Sequence, residues 1–250
     1  MTYIDVHCHI DMYSDEKIEQ VIEGARKNNV DTIIVNGVNV KTNRRILKLA
    51  DKYTEIKVAL GIDPIDALKL TDQEVEDEIN FIKKNKGKII AIGEVGIDLK
   101  WSKELKAQKE NFEKFIQLSI DLDKPIIVHS RNAEHDVLDM LDRDNCKKVI
   151  VHCFNGKLSL VDKAIKNGWY FSIPTNITYS EQMQKLVDKL PITNILCETD
   201  SPYLHPQKGQ RNNTPVNVIE GYKKISEIKD MNLKVVEEKI KENYKRLFVK

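Results

Sequence analysis

Residues 3–10 read YIDVHCHI, and the DVHCH at positions 5–9 decides how the rest of the chain is taken. The run has the apolar, β-branched character of a strand. Side chains two apart share a strand face, so Asp5, His7 and His9 project together while Val6 and Cys8 pack the other way. The chain holds six histidines, and two of them close this first strand on one face. Two imidazoles so placed can chelate one metal ion. That reading makes Cys8 a packing residue and places Asp5 behind the histidine pair.

Seven further runs of the same kind follow: DTIIVNG (31–37), KVALGI (57–62), KIIAIGEV (88–95), PIIVHS (125–130), KVIVHCF (148–154), WYFSI (169–173) and NILCET (194–199). Runs that are apolar on both faces are what a parallel sheet covered by helices requires. The segments between them read as amphipathic helices. Residues 15–28 put Ile18, Val21, Ile22 and Ala25 on one stripe behind Ser14 as N-cap. TDQE at 71–74 is a capping box ahead of Val75, Ile79 and Ile82. Residues 103–122 align Phe112, Phe115, Ile116 and Ser119, and 133–143, 158–167 and 180–189 follow the same rule. A loop rich in Pro, Gly and Asn (201–215) then leads into two more helical segments. Eight β-then-α units without a linker predict an α/β fold, a single (β/α)8 TIM barrel over residues 1–250. The alternative is an open doubly wound sheet, but no glycine-rich phosphate loop follows strand one.

The barrel reading gathers the unusual residues. His7 and His9 close strand one, Glu94 closes strand four, His129 ends strand five, His152 ends strand six, and Asp200 follows strand eight. In a barrel all of them lie at the C-terminal mouth. Taken singly, each has an ordinary use: a hydrogen-bonded strand histidine, a salt-bridged Glu94, an Asp200 that caps the next segment. Their convergence argues for metal. His7 and His9 can hold one ion, and two more histidines with Glu94 as bridge can hold a second. Imidazole with carboxylate suits Mg, Mn or Zn centres rather than thiolate sites. Two ions roughly 3.5–4 Å apart are a common device for phosphate-ester cleavage. His135, within a helix, reads as a surface residue, and His205, beside Pro206, as an exposed loop histidine.

Forty basic and 39 acidic residues give a formal net charge of +1. That does not suggest a protein held to nucleic acid by its overall field, and any nucleic acid would have to be gripped locally. Hydrophobic content of 41% with 32% charged residues fits a soluble globular protein. The apolar runs are too short to span a bilayer, and no basic-then-apolar leader opens the chain, so a cytoplasmic location is expected. The four cysteines form no C-x-x-C pair and read as reduced packing residues.

With DVHCH, IGEVGID, PIIVHSR, VHCFNG, ETDSPYL and NYKRLF in this order, the chain resembles the TatD-type metal-dependent deoxyribonucleases of the amidohydrolase superfamily over essentially its whole length. The resemblance implies a TIM-barrel hydrolase with two divalent metal ions, acting on DNA as a 3′→5′ exonuclease. It assigns one metal to His7, His9, Glu94 and Asp200, and the second to the bridging Glu94 with His129 and His152. Asp200 also orients the attacking water or accepts its proton. Asp5 would fix the histidine pair. Arg131 can meet a substrate phosphate or stand as an ordinary surface arginine. Asn155, Tyr203, Arg211 and Asn212 sit on mouth loops as further candidates for substrate contact. The expected partner is the 3′ end of single-stranded DNA, with no membrane and a monomeric state.

The chain departs from the family pattern at several points. A histidine before proline after strand three is replaced by Asp63, which accepts hydrogen bonds but as a carboxylate donates none to a phosphate, and can instead hold a cation or a water. Asn155 stands where serine is more usual, GIDLKW lacks the tyrosine often found after the strand-four aspartate, and GQRNNTP is one residue longer before Pro215. These keep a second reading open, a metallohydrolase of small esters, lactones or D-aminoacyl-tRNA. A non-catalytic, metal-stabilised binding protein is a third, weakened by the complete ligand set.

Overall fold

β-Branched residues fit a pleated, buried surface, and here they form the inner wall of the molecule. The computed structural model describes residues 2–249. Eight strands, β1 (Tyr3–Cys8), β2 (Val30–Asn36), β3 (Ile56–Leu60), β4 (Ala91–Asp98), β5 (Ile126–Arg131), β6 (Val149–His152), β7 (Tyr170–Pro174) and β8 (Ile195–Glu198), follow one another in chain order in one sheet. Helices stand between consecutive strands. This is the order of a (β/α)8 TIM barrel.

Contacts group the chain into two compact units. The first comprises the chain up to Val35, Leu49–Lys57 and the chain from Tyr170 onward. In it β1 runs parallel to β2, with Asp5 opposite Ile33 and Cys8 opposite Val35, and β7 runs parallel to β8, with Phe171 opposite Ile195. The segment after β8 returns to β1: the Asp200 amide donates to the His7 carbonyl at 2.9 Å and the His9 amide to the Ser201 carbonyl at 2.7 Å. Ser14 caps the helix Asp15–Lys27, whose stripe of Ile18, Val21, Ile22 and Ala25 is buried as the periodicity requires.

The second unit comprises Asn36–Lys48 and Val58–Trp169. Here β4 pairs with β5, Gly96 opposite His129 and Asp98 opposite Arg131, and β5 pairs with β6. The capping box forms, Thr71 accepting from the Glu74 amide and the Glu74 carboxylate accepting from the Thr71 amide. Phe112, Phe115, Ile116 and Ser119 are buried along Leu105–Leu122. Trp169 is fully buried, its indole N–H donating to the Cys146 carbonyl at 2.8 Å.

Three strand ends differ from the sequence expectation: β5 does not end at His129 but pairs with β4 as far as Arg131. β1 stops at Cys8, and His9 lies beyond it ahead of a single 3-10 turn, Ile10–Met12. Glu94 does not close β4 but sits in its middle, because pairing with β5 carries the strand on to Asp98. A helix over Val40–Lys52, absent from the predicted set, joins β2 to β3.

Gly96 makes that extension of β4 possible. Its φ is +149°, and a Cβ there would lie 1.9 Å from the His129 carbonyl oxygen. Replacing it with alanine must push β4 away from β5 where a candidate ligand is held. Gly96→Ala is therefore expected to cost about 2–4 kcal/mol of stability, read from urea unfolding. A variant as stable as wild type would show that this close approach is not required.

Candidate metal centre

The first unit brings three candidate ligands together. His7 and His9 place their Nε2 atoms 3.1 Å apart, and both rings are buried. Asp200 brings Oδ1 to 3.7 Å from His7 Nε2 and 3.5 Å from His9 Nε2. One donor atom from each of the three lies within 4.8 Å of the others. The Asp200 backbone takes a φ of +52° while its amide holds the His7 carbonyl, which places the carboxylate beside the rings. Two imidazole nitrogens at 3.1 Å need a proton or a cation between them, since two lone pairs repel. Two nitrogens and a carboxylate oxygen suit a divalent ion, so the residues fit a metal.

Asp5 supports this set through the backbone rather than through a histidine ring. Its Oδ1 accepts the His7 amide at 3.3 Å and the Thr199 amide at 2.9 Å, and its Oδ2 accepts the Thr199 hydroxyl at 2.5 Å. Burial pushes the Asp5 carboxyl up to about 8, against the hydrogen bonds from Thr199 and His7 that favour its charge. Asp5 thus ties β1 to the segment after β8. Cys8 turns its thiol to the Ile34 carbonyl at 3.5 Å, a packing role. Tyr203 is exposed beside the set, its ring 6.5 Å from that of His9, and its hydroxyl donates to the Met12 sulfur. Arg211 and Asn212 are exposed. Their neighbour Asn213 is buried and holds the loop, donating to the Thr199 carbonyl at 2.9 Å and the Thr175 hydroxyl at 3.0 Å.

The second unit assembles the other candidates. His129 sets Nδ1 at 2.8 Å from Glu94 Oε1 and Nε2 at 3.0 Å from Asp98 Oδ2, and His152 Nε2 lies 3.9 Å from the same Glu94 oxygen. The two rings are 6.3 Å apart. Burial opposes a charged imidazole here, but hydrogen bonds to Asp98 and Glu94, with the charges of Glu94 and Asp63, carry His129 up to about 10. Without metal the ring therefore holds both protons and donates to both carboxylates. A metal held by Nδ1 would take the place of that proton alone, and Asp98 would keep the Nε2–H. A carboxylate that fixes a histidine this way is a usual companion of a metal ligand.

Asp98 escaped sequence reasoning, although the signal was present. Glu94, Gly96 and Asp98 alternate as Asp5, His7 and His9 do, and share a face. The Asp98 carboxylate is buried; burial raises its pKa, yet the bond from His129 and the amides of Trp101 and Lys100 hold it below the usual range. Its backbone is clamped by the buried Gln108, whose Oε1 accepts the Asp98 amide at 2.7 Å and whose Nε2 donates to the Asp98 carbonyl at 3.1 Å. Asp63 uses Oδ1 to cap the short helix Pro64–Ala67, accepting from Ile65 at 2.8 Å and Asp66 at 3.2 Å. Burial, then the charge of Glu94, pushes it up to about 6. Arg131 ends β5 and is exposed; Asn155 is exposed and donates to the Cys153 carbonyl at 2.8 Å.

A known family matches across the chain. The model of the TatD-related DNases matches residues 4–249. The chain belongs to that family. An uncharacterized metal-dependent hydrolase of Methanocaldococcus jannaschii is 38% identical over 98% of this chain and 96% of its own length. Human deoxyribonuclease TATDN3 is 32% identical over 99% of this chain and 94% of its own. The crystal structure of a TatD homologue from Escherichia coli K12 superposes with a TM-score of 0.93 at 25% identity, covering 98% of this chain and 97% of that one. This member of the TatD family is a metal-dependent hydrolase of TIM-barrel fold. Among its described residues no helix is long and apolar enough to cross a membrane.

Two outcomes are expected. Asp98→Asn keeps the backbone caps but presents an amide N–H to His129 Nε2, which drives the ring proton onto the ligating nitrogen. Mn²⁺ affinity measured by calorimetry should fall about 10–100-fold, with little change in the melting temperature of the metal-free protein. Asp63 has a folded pKa of about 6 against 3.8 for the ordinary group. The folded state therefore holds this proton more tightly, and stability falls as pH rises from about 4 to about 6. Asp63→Asn, which can still cap the helix, should raise metal-free stability above pH 6 by up to about 3 kcal/mol and do little below pH 4. Melting curves across that range decide it.

Proposed function

We propose that this chain is a metal-dependent phosphodiesterase that removes nucleotides from the 3′ ends of single-stranded DNA. The observation that carries this reading is the convergence of His7 Nε2, His9 Nε2 and Asp200 Oδ1 on one point. In this reading the whole chain is one catalytic domain, monomeric and cytoplasmic, with two ions, Mg, Mn or Zn. His7, His9 and Asp200 hold one, His129 and His152 the other, and Glu94 is shared. Bound there, divalent ions acidify water and polarise phosphoryl oxygens.

The chain's own groups do the rest. Asp200 accepts the proton of the attacking water, as its partly exposed carboxylate allows. Asp5 and Asp98 fix the positions of His7 and His129, so the donors need little reorganisation during the reaction. Arg131, with its planar fork of donors, takes a substrate phosphate, and Asn155, Tyr203, Arg211 and Asp63 line the approach. The name of the human relative supports DNA as the substrate.

The formal charge of +1 leaves room for a second reading, which Asp63 as a poor phosphate partner favours: hydrolysis of small esters, lactones or D-aminoacyl-tRNA. One experiment addresses both. Protein supplied with Mn²⁺ or Mg²⁺ should shorten single-stranded DNA from its 3′ end, stop on chelation, and lose at least about 10³-fold in rate in Glu94→Ala. DNA left intact under every divalent ion, with turnover of a lactone or a charged tRNA, would replace the first reading by the second.

A further inference from the structure

Tryptophan is normally well buried, yet Trp101 is 69% exposed. Its loop is nonetheless firmly held. Asp98 Oδ1 accepts the backbone amides of Lys100 at 2.8 Å and Trp101 at 3.0 Å, while Oδ2 of the same buried carboxylate holds His129 Nε2 at 3.0 Å. One side chain thus spaces an exposed indole from a candidate metal ligand. One cation stands at the ring and a second on the neighbouring strand. Lys100 brings Nζ to 5.7 Å from its centroid, and Arg131 is exposed and stands opposite Asp98 in the β4–β5 register. Neither cation forms an ion pair among the described residues. Proteins hold single-stranded nucleic acid by combining a solvent-facing aromatic, which stacks on a base, with nearby cations, which meet the backbone.

We infer that Trp101 is a base-stacking platform that seats a nucleobase of a single DNA strand, with Lys100 and Arg131 meeting the adjoining phosphates. This inference rests on the proposed action on DNA. Any base has a stacking face, so the platform tolerates every sequence and prefers a strand whose bases are free over a paired duplex. It also locates recognition in a local grip, as a chain of near-zero net charge requires.

Fluorescence reads the contact directly. The chain has two tryptophans, and Trp169 is fully buried, so quenching by an added strand reports on Trp101. Metal-loaded protein titrated with a phosphorothioate oligothymidylate should lose much of its emission, and an abasic strand of equal length should quench little. Trp101→Ala should raise both the Kd for that oligonucleotide and the KM for its cleavable counterpart about tenfold, and Trp101→Phe should restore most of the loss. The deficit should be confined to strands that carry bases. Unquenched emission at saturation, or a wild-type KM in Trp101→Ala while DNA is cleaved, overturns the platform and leaves the phosphodiesterase reading standing. Wild-type protein that cleaves no DNA overturns that reading, and the platform with it.

Discussion

Polar and charged groups taken out of water must be paired, and that constraint organises the candidate ligands of each unit. Asp5, Glu94 and Asp98 are buried carboxylates, and His7, His9 and His152 are buried imidazoles. The two units meet the constraint differently. Asp5 is satisfied by backbone and hydroxyl donors, with Thr199 supplying two of them. Glu94 and Asp98 share one imidazole, and the proton that His129 keeps without metal stands in for a cation. A site that draws in a proton so strongly is built for positive charge. A divalent ion meets the same need with more charge, at the expense of one ring proton.

Parallel strands explain where this can happen. Along a strand the ladder satisfies the backbone, but beyond the last pairing amides and carbonyls become available. The chain uses them to position candidate ligands: the His7 carbonyl holds the Asp200 amide, and the Ser201 carbonyl holds the His9 amide. Gly96 extends the same logic within β4. Its missing side chain lets the His129 carbonyl approach, and the strand continues to Asp98. Glycine there serves the site through geometry, with no chemistry of its own.

Much of this was legible in the sequence, and what was not has physical reasons. Apolar runs exposed all eight strands, and alternation in DVHCH put His7 with His9. The end of β4 was read too early because GEVGID breaks its apolar run with two glycines and two carboxylates, while only the pairing with β5 sustains it. The helix Val40–Lys52 was hidden because one of its core positions is polar. Asn43 is fully buried there, donating to the Gly61 carbonyl at 2.9 Å and to Glu78 at 2.8 Å, so the apolar stripe is broken. Arg211 and Asn212 drew notice as a loop pair, yet the buried residue is Asn213, whose partners lie 14 and 38 positions away. Such long-range hydrogen bonds leave no local periodicity to read.

Asp98 shows why the loop after β4 cannot vary independently of the site. One oxygen is committed to the amides of Lys100 and Trp101 and the other to His129, while Gln108 grips the backbone of the same residue. A buried network with every member satisfied is rigid, and a change at one member leaves the others unpaired in a place water does not reach. The side chains of Lys100 and Trp101, by contrast, face solvent and enter none of these bonds. The backbone of the loop is therefore bound to the candidate ligand His129, and its side chains are free of that tie. That separation lets the solvent-facing side chains of the loop change without disturbing the hydrogen bonds that hold His129.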